Sequence, residues 1–347
     1  MYIKKILLAI VFIGLAVAAI FAYYVYNTMF VPNTAFNNDT AYIYVKSTDT
    51  YDNVREQLVP LLKDIDKFDA LAEQKKYVNN VKAGRYAIKK DMNNNDIINS
   101  IRSNNIPVKV SFNNQETLEK LAGRVATQIE ADSLSLLNAM KDEAFMAEHH
   151  FTEETALGMY IPNSYEFFWN TSAEKFTSRM LKEYNRFWNG SRKAKAKALG
   201  LSQDEVMALA SIVQKETAKV DERPRVAGVY VNRLKKGMPL QADPTVIYAL
   251  KKKSGDFEQV IKRVLFKDLE IDSPYNTYKY AGLPPGLITM PDVSSIDGVL
   301  NYEKHNYYYF VVNVENFGYH KFAKTLTQHN RNRQEYIRWI NKTGIRR

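Results

Sequence analysis

The chain has 347 residues, 46% hydrophobic and 25% charged, an ordinary globular composition with room for two or three modest domains. Its formal net charge of +10 suits plain solubility as well as an acidic partner such as nucleic acid, anionic lipid or a carboxylate-bearing polymer. No cysteine occurs, which excludes a disulfide framework, a thiolate nucleophile, a cysteine metal cluster and a lipidated cysteine anchor.

Lys4 and Lys5 precede an uncharged apolar run from Ile6 to Val25, 20 residues. At about 1.5 Å rise per residue this spans a hydrocarbon core of roughly 30 Å. The two lysines predict a cytoplasmic N-terminus, with the chain outside from about residue 27. Residues 6–25 would then contact lipid in the cytoplasmic (inner) membrane, with Tyr23, Tyr24 and Tyr26 at the interface. Ala16-Val17-Ala18 has the spacing of a signal-peptide cleavage site. The apolar run continues past it for a full span, which favours an uncleaved anchor.

Residues 1–26 are therefore read as cytoplasmic tip and anchor, and 27–40 as a polar linker. Ala41 to Val45 alternates as a strand, helices follow over Asn53 to Leu62 and on to Gln74, a turn at Val81 to Tyr86 opens a second strand, and Asn95 to Ser103 reads as a helix. Residues 41–106 thus form a small α+β module of LysM-like size. Residues 107–347 form a larger mixed domain. In it Val108 to Phe112 is a strand, Leu118 to Trp188 is mostly helical with a break at Met159 to Tyr165, and a basic helix over Lys193 to Leu199 closes at Gly200. The predicted class is α+β with one transmembrane helix.

Ser202-Gln203-Asp204-Glu205 is a capping box that fixes the start of the next helix. Val206, Leu209, Ala210 and Val213 then recur at the spacing of a core-facing stripe, and Glu216 continues it. Desolvation and the negative end of the helix dipole both raise the pKa of a carboxyl placed there. A glutamate kept protonated near neutral pH suits a general acid. Periodicity alone favours the plainer reading, a structural glutamate bonded to a neighbour or facing water.

The segments around it resemble a known family. Leu209-Ala210-Ser211-Ile212-Val213-Gln214-Lys215-Glu216-Thr217, Asn232-Arg233-Leu234 and Leu240-Gln241-Ala242-Asp243-Pro244-Thr245 are similar to motifs of the endolytic murein transglycosylases, the YceG-like proteins. Ser273 to Tyr278, Gly282 to Ile288, Gly318 to Phe322 with His329-Asn330, and upstream Tyr160 to Tyr165 agree in the same order. Leu287 departs from a usual proline, Gln328 from a usual glutamate, and Asn113 to Glu116 from a Pro-Glu-Gly turn.

The resemblance implies non-hydrolytic cleavage between N-acetylmuramic acid and N-acetylglucosamine in nascent peptidoglycan, leaving a 1,6-anhydro end. Glu216 would protonate the glycosidic oxygen and then accept the proton of the muramyl C6 hydroxyl as it closes on C1. Gln241, Asp243, Asn276, Tyr278 and His320 are candidates for holding substrate polar groups. Tyr275, Tyr278, Tyr280 and Phe322 are candidates for stacking on sugars. Implied partners are glycan strands and, at the inner membrane, cell-wall synthases. Two alternatives stand beside this reading: a hydrolytic muramidase or glucosaminidase using Glu216 and Asp243, and a non-catalytic wall-binding scaffold of the elongation machinery. No cofactor is expected, and the histidines lack metal-ligand spacing. No nucleic-acid motif accompanies the basic charge.

Overall fold

The structure, a computed structural model, describes residues 2–343 and is a mixed α+β protein. The chain divides into two units. The first holds the residues up to Val110 with Gln128–Ala131 and Tyr165–Ser172; the second holds Ser111–Thr127, Asp132–Ser164 and the chain from Ala173 onward.

The first unit opens with α1 (Tyr2–Phe30), long and apolar enough to cross a bilayer, a test that a signal sequence passes as well. Next come β1 (Thr40–Val45), α2 (Tyr51–Leu58), α3 (Ile65–Gln74) and β2 (Gly84–Lys89). The two strands pair antiparallel, from Thr40 opposite Lys89 to Val45 opposite Gly84. A two-stranded ribbon is marginal by itself, and here α2, α3 and α4 (Asn94–Ser103) bury its inner face. Ile43, Val45, Tyr86 and Ile88 pack with Val54, Leu58, Phe68, Leu71, Ile97 and Ile101. Asp64 and Asn93 cap α3 and α4 by accepting amide hydrogens from Lys67 and Asp96. Helix α2 ends at Leu58, before the expected Leu62: Val59 keeps helical backbone, but Pro60 has no N–H to donate back into the helix, and the chain continues as a 3-10 turn.

Residues 27–40, expected as a linker, are built into this unit. The last turn of α1 carries the buried Thr28, whose carbonyl accepts from Asn94 Nδ2 at 2.8 Å. Asn94 Oδ1 in turn accepts from Asn33 Nδ2 at 2.7 Å, and Asn33 also bonds the backbone of Asp64 at 2.8 and 2.9 Å. Two buried amide side chains therefore fasten the end of the apolar helix to the helices of the module.

Strands β3 (Pro107–Phe112) and β4 (Asn163–Phe168) form a second two-stranded sheet. The second unit contains α5 (Leu118–Ala126), α6 (Ser133–Met140), α7 (Glu143–Glu148), α8 (Ala173–Phe187), α9 (Gly190–Leu199) and α10 (Gln203–Glu216). It continues through α11 (Arg223–Lys235), α12 (Asp243–Ser254), α13 (Val293–Leu300), the hairpin β5 (Tyr309–Val312) and β6 (His320–Ala323), and α14 (Leu326–Thr343).

Helix α10 is the centre of the second unit. Its predicted capping box is present, with Ser202 Oγ accepting from Glu205 N at 3.1 Å and Ser202 N donating to Glu205 Oε2 at 2.7 Å. Every residue from Val206 to Val213 is buried, so the apolar surface is wider than the predicted stripe. The reason is that α9, α11, α12 and α13 all pack on it. Polar residues within it are satisfied locally: Ser211 Oγ donates to Ala208 O and accepts from Ile288 N, and Gln214 Oε1 accepts from Ser295 Oγ at 2.7 Å and Asp292 N at 3.2 Å. Gly228 lets α11 approach the 303–305 segment, since a Cβ there would lie 2.6 Å from His305 Nε2. At the start of α14, Thr325 Oγ1 accepts from Gln328 N and Gln328 Oε1 accepts from Lys324 N. Gln328 thus reaches back to the amide one residue before the N-cap, a near relative of the reciprocal bond in a capping box.

Asn94→Ala leaves Thr28 O without its side-chain donor and removes one of the two acceptors of Asn33 Nδ2, which keeps Asp64 O. Denaturant unfolding is expected to show a loss of about 1–3 kcal/mol, mostly from the one buried carbonyl left unsatisfied. An unchanged midpoint would show that these amides do not fasten α1.

Candidate active site

Glu216 is the last residue of α10, and Thr217 after it is extended with φ −139° and ψ 132°. The chain turns through Val220–Glu222 into α11, where Pro224 sits in the first turn. Helix α11 then presents Tyr230 and Arg233, three residues apart and so on one face. The fully buried Tyr230 donates its hydroxyl to Glu216 Oε1 at 2.7 Å. Arg233 donates to three carbonyls, Tyr308 at 2.7 Å, Leu240 at 2.6 Å and Pro239 at 3.3 Å, and its guanidinium lies 5.3 Å from the Tyr309 ring centre. One side chain therefore holds both the start of the hairpin and the loop leading to α12.

That loop carries Gln241 in the left-handed region, φ 51°. For a residue with a side chain this conformation is uncommon and persists where the surroundings impose it. They do so here: Gln241 N donates to Thr277 O, Ala242 N donates to Thr277 Oγ1, and Thr245 and Thr277 hydroxyls meet at 2.9 Å, both buried. Asp243 follows in the first turn of α12 and accepts the Tyr278 hydroxyl at 2.5 Å.

These groups line a cleft of about 310 Å³. Its walls are Glu216, Tyr230, Arg233, Gln241, Asp243, Tyr278, Tyr309, Phe310 and His329, with Leu240 and Leu326. Glu216 is only partly exposed, and burial among these neighbours pushes its carboxyl up to about 7 from an ordinary 4.5. The Tyr230 hydrogen bond and the charges of His320 and Arg233 pull the other way, while Asp243 adds to the rise. His329 lies nearly parallel to the Tyr309 ring, centres 5.3 Å apart. Burial first, then Arg233 and Arg333, lower its pKa and favour the neutral imidazole.

Of the predicted site residues, Glu216, Gln241, Asp243 and Tyr278 share the cleft. His320 is not among the lining residues; it is gripped by Glu222, which is 4% exposed, through backbone N at 2.7 Å and Nδ1 at 2.8 Å. Burial opposes the Glu222 charge, but the His320 and Thr217 hydrogen bonds outweigh it and hold this carboxyl below its usual range. Thr217 Oγ1 donates to the same carboxylate at 2.9 Å, so the residue after Glu216 is tied to β6.

Asn276 is not among the residues lining the cleft. It is fully buried, its amide nitrogen donates to Leu269 O and Ile271 O, and its oxygen accepts from Tyr278 N at 3.0 Å. With its hydrogens spent inside the loop it positions Tyr278 and leaves no donor for substrate. Phe322 packs against Phe310 and Tyr307, outside the cleft lining. Tyr275 is buried against Tyr248 and offers no sugar platform, and Tyr280 is exposed with its hydroxyl on Asp272.

Sequence reasoning did not single out Tyr230, Glu222, Tyr309 or Phe310, and it named Arg233 and His329 only within motifs. Spacing along α11 could have paired Tyr230 with Arg233, but nothing in the sequence shows that this face meets the end of α10. Among the described residues, no three His, Asp or Glu side chains are grouped as metal ligands would be.

The model of the YceG-like family matches residues 43–335. A protein of Bacillus subtilis (strain 168) called endolytic murein transglycosylase is 32% identical over 272 residues, covering 74% of this chain and 73% of that protein. The protein of the same name from Streptococcus pneumoniae serotype 2 is 29% identical over 298 residues; the match covers 78% of this chain and only 53% of the streptococcal one. In three dimensions the chain is similar to the crystal structure of a YceG-like protein from Listeria monocytogenes. That likeness has a TM-score of 0.57 at 28% identity and covers 85% of this chain and 99% of the other.

A carboxyl whose folded value is raised costs stability once the unfolded state has ionised. For Glu216 the cost begins above the ordinary 4.5 and is complete above about 7. Glu216→Gln is therefore expected to stabilise the fold by about 1–3 kcal/mol at pH 8 and by little at pH 4, measured by thermal unfolding at both pH values. A second expectation concerns Tyr230→Phe, which removes a hydrogen bond favouring the ionised carboxylate. It should move the Glu216 titration to higher pH, and a shift downward or none would show that the hydroxyl does not act on it.

Proposed function

The chain belongs to the YceG-like family, and from that membership we propose that it is an endolytic lytic transglycosylase that cuts the MurNAc-GlcNAc bond of nascent peptidoglycan. The single observation that carries this reading is Glu216, a carboxyl raised to about 7 at the wall of a cleft, with one oxygen held by a buried tyrosine. Near neutral pH such a group is divided between its acid and its base forms, as a residue serving in both roles requires.

As the acid, Glu216 gives its proton to the glycosidic oxygen, and the bond from that oxygen to the muramyl C1 breaks. The GlcNAc side leaves as an alcohol. As the carboxylate, Glu216 then takes the proton of the muramyl C6 hydroxyl while that oxygen bonds to C1 and closes the 1,6-anhydro ring. Glu216 ends protonated and no water is consumed. Positive charge at C1 develops near the ionised carboxylate, while Arg233 and His320 limit how far burial raises its pKa. Gln241, on its constrained backbone, and Tyr278, oriented by Asp243, suit the holding of acetamido and hydroxyl groups. Asp243 already accepts the Tyr278 hydroxyl, which supports a positioning role for it over the water activation that a hydrolase would need.

The same reading places the protein in the cytoplasmic membrane, held by α1 through residues 6–25 with the chain from about residue 27 outside, where nascent strands and their synthases meet it. The order strand, two helices, strand in the first unit supports a LysM-like module that would bind glycan.

Incubating the full-length protein in detergent with peptidoglycan, followed by mass spectrometry, is expected to give 1,6-anhydro-muramyl ends. Glu216→Gln should lower their formation about 10²–10⁴-fold, and the rate should fall as pH rises through about 7. Reducing, hydrated ends would instead identify a hydrolase, and glycan binding without any cleavage would identify a scaffold.

A further inference from the structure

A second cleft of about 710 Å³, more than twice the volume of the one at Glu216, lies in the same unit. The two are lined by neighbouring residues of the same two segments. Gln214 and Lys215 line the larger cleft while Glu216 lines the smaller, and Pro244 and Ile247 line the larger while Asp243 lines the smaller. The end of α10 and the start of α12 thus separate the two clefts, and one arm of a branched ligand at Glu216 has to pass the end of α10 to enter the larger one.

The chemistry of that cleft differs from the first. Lys215 and Lys251 both grip Glu116, at 2.6 and 2.8 Å. Lys120 reaches Glu258 at 2.8 Å and Phe257 O at 3.0 Å. Three ammonium groups thus face two carboxylates, over a floor that includes Tyr248, Phe257 and Ile288. One of those carboxylates is loosely held: the Glu258 side chain is 83% exposed. An ion pair with so exposed a partner stabilises little, so an incoming carboxylate displaces it at little cost. Uncharged hydroxyls would gain little from such fixed charges. A short peptide with free carboxylates and apolar side chains matches both the ammonium groups and the floor.

Resting on the reading of Glu216 as a peptidoglycan-cleaving acid, we propose that this larger cleft binds the peptide stem carried on the lactyl group of the muramyl sugar, through Lys120 and Lys251. The enzyme then selects strands whose stems are still attached over stripped glycan. Lys251 is nearly buried against Glu116 and fixed in place, whereas Lys120 exchanges its surface partner Glu258 for a stem carboxylate.

The test is binding, read with full-length Glu216→Gln protein in detergent so that the strands stay intact. The probes are glycan strands bearing their peptide stems and the same strands stripped by an amidase. Stem-bearing strands should bind at least about tenfold more tightly. Combining Lys120→Gln with Lys251→Gln should bring the two affinities within about threefold of each other. Lys120→Glu, at a half-buried position, should do most of the same and keeps the test informative if Lys251→Gln does not fold. Equal affinity of the parent protein for both strands, or binding of neither, overturns the proposal. So does an equal loss on both strands in the variants, which would make the cleft a sugar subsite or a structural feature. Cleavage of stripped strands to anhydro ends by the unsubstituted protein decides the role of Glu216 separately.

Discussion

The second unit is organised around a conflict between burial and charge at one point, the C-terminus of α10. A helix buried on every side from Val206 to Val213 has to end somewhere polar, and it ends on Glu216 at a cleft wall. Desolvation there disfavours the carboxylate, and the negative end of the helix dipole acts in the same direction. Against these stand the Tyr230 hydroxyl and two positive side chains. The balance falls at about 7, far enough from an ordinary glutamate to donate a proton at neutral pH and near enough to take one back.

Each surrounding element serves that balance through a small number of anchors. Arg233 joins α11 to the carbonyls of 239, 240 and 308, so the loop with Gln241 and the hairpin with Tyr309 are set by the same guanidinium. Glu222 links Thr217, directly after Glu216, to the backbone and ring of His320. The Thr245 and Thr277 hydroxyl pair fixes the turn that aims Gln241. Losing any one of these anchors leaves a buried polar group unsatisfied, which ties the precision of the site to the stability of the fold around it.

Local signals in the sequence were enough to find α10, its capping box and the place of Glu216 near its end, because the serine, the glutamate three residues later and the apolar spacing all act within a few residues. The apolar span of α1 was equally legible, since twenty uncharged residues admit few other readings. What the sequence could not show was which side chains converge from afar. Asn276 looked like a ligand-holding amide, but only the folded loop reveals that its hydrogens are spent on Leu269 and Ile271. Tyr230, fourteen residues from Glu216 and in another helix, becomes its partner through tertiary packing alone. In the stretch 27–40, read as a polar linker, Asn33 is polar in the sequence yet is buried and bonded to the equally buried Asn94.

The central claim is that this fold holds Glu216 as a carboxyl poised near neutrality. Its direct measurement is a carbon-13 NMR titration of the Glu216 side-chain carboxyl in the labelled full-length protein, assigned by the signal missing from Glu216→Gln. The account predicts a midpoint at about 7. A midpoint near the ordinary 4.5 would contradict it, and with it the assignment of both proton transfers to this one residue.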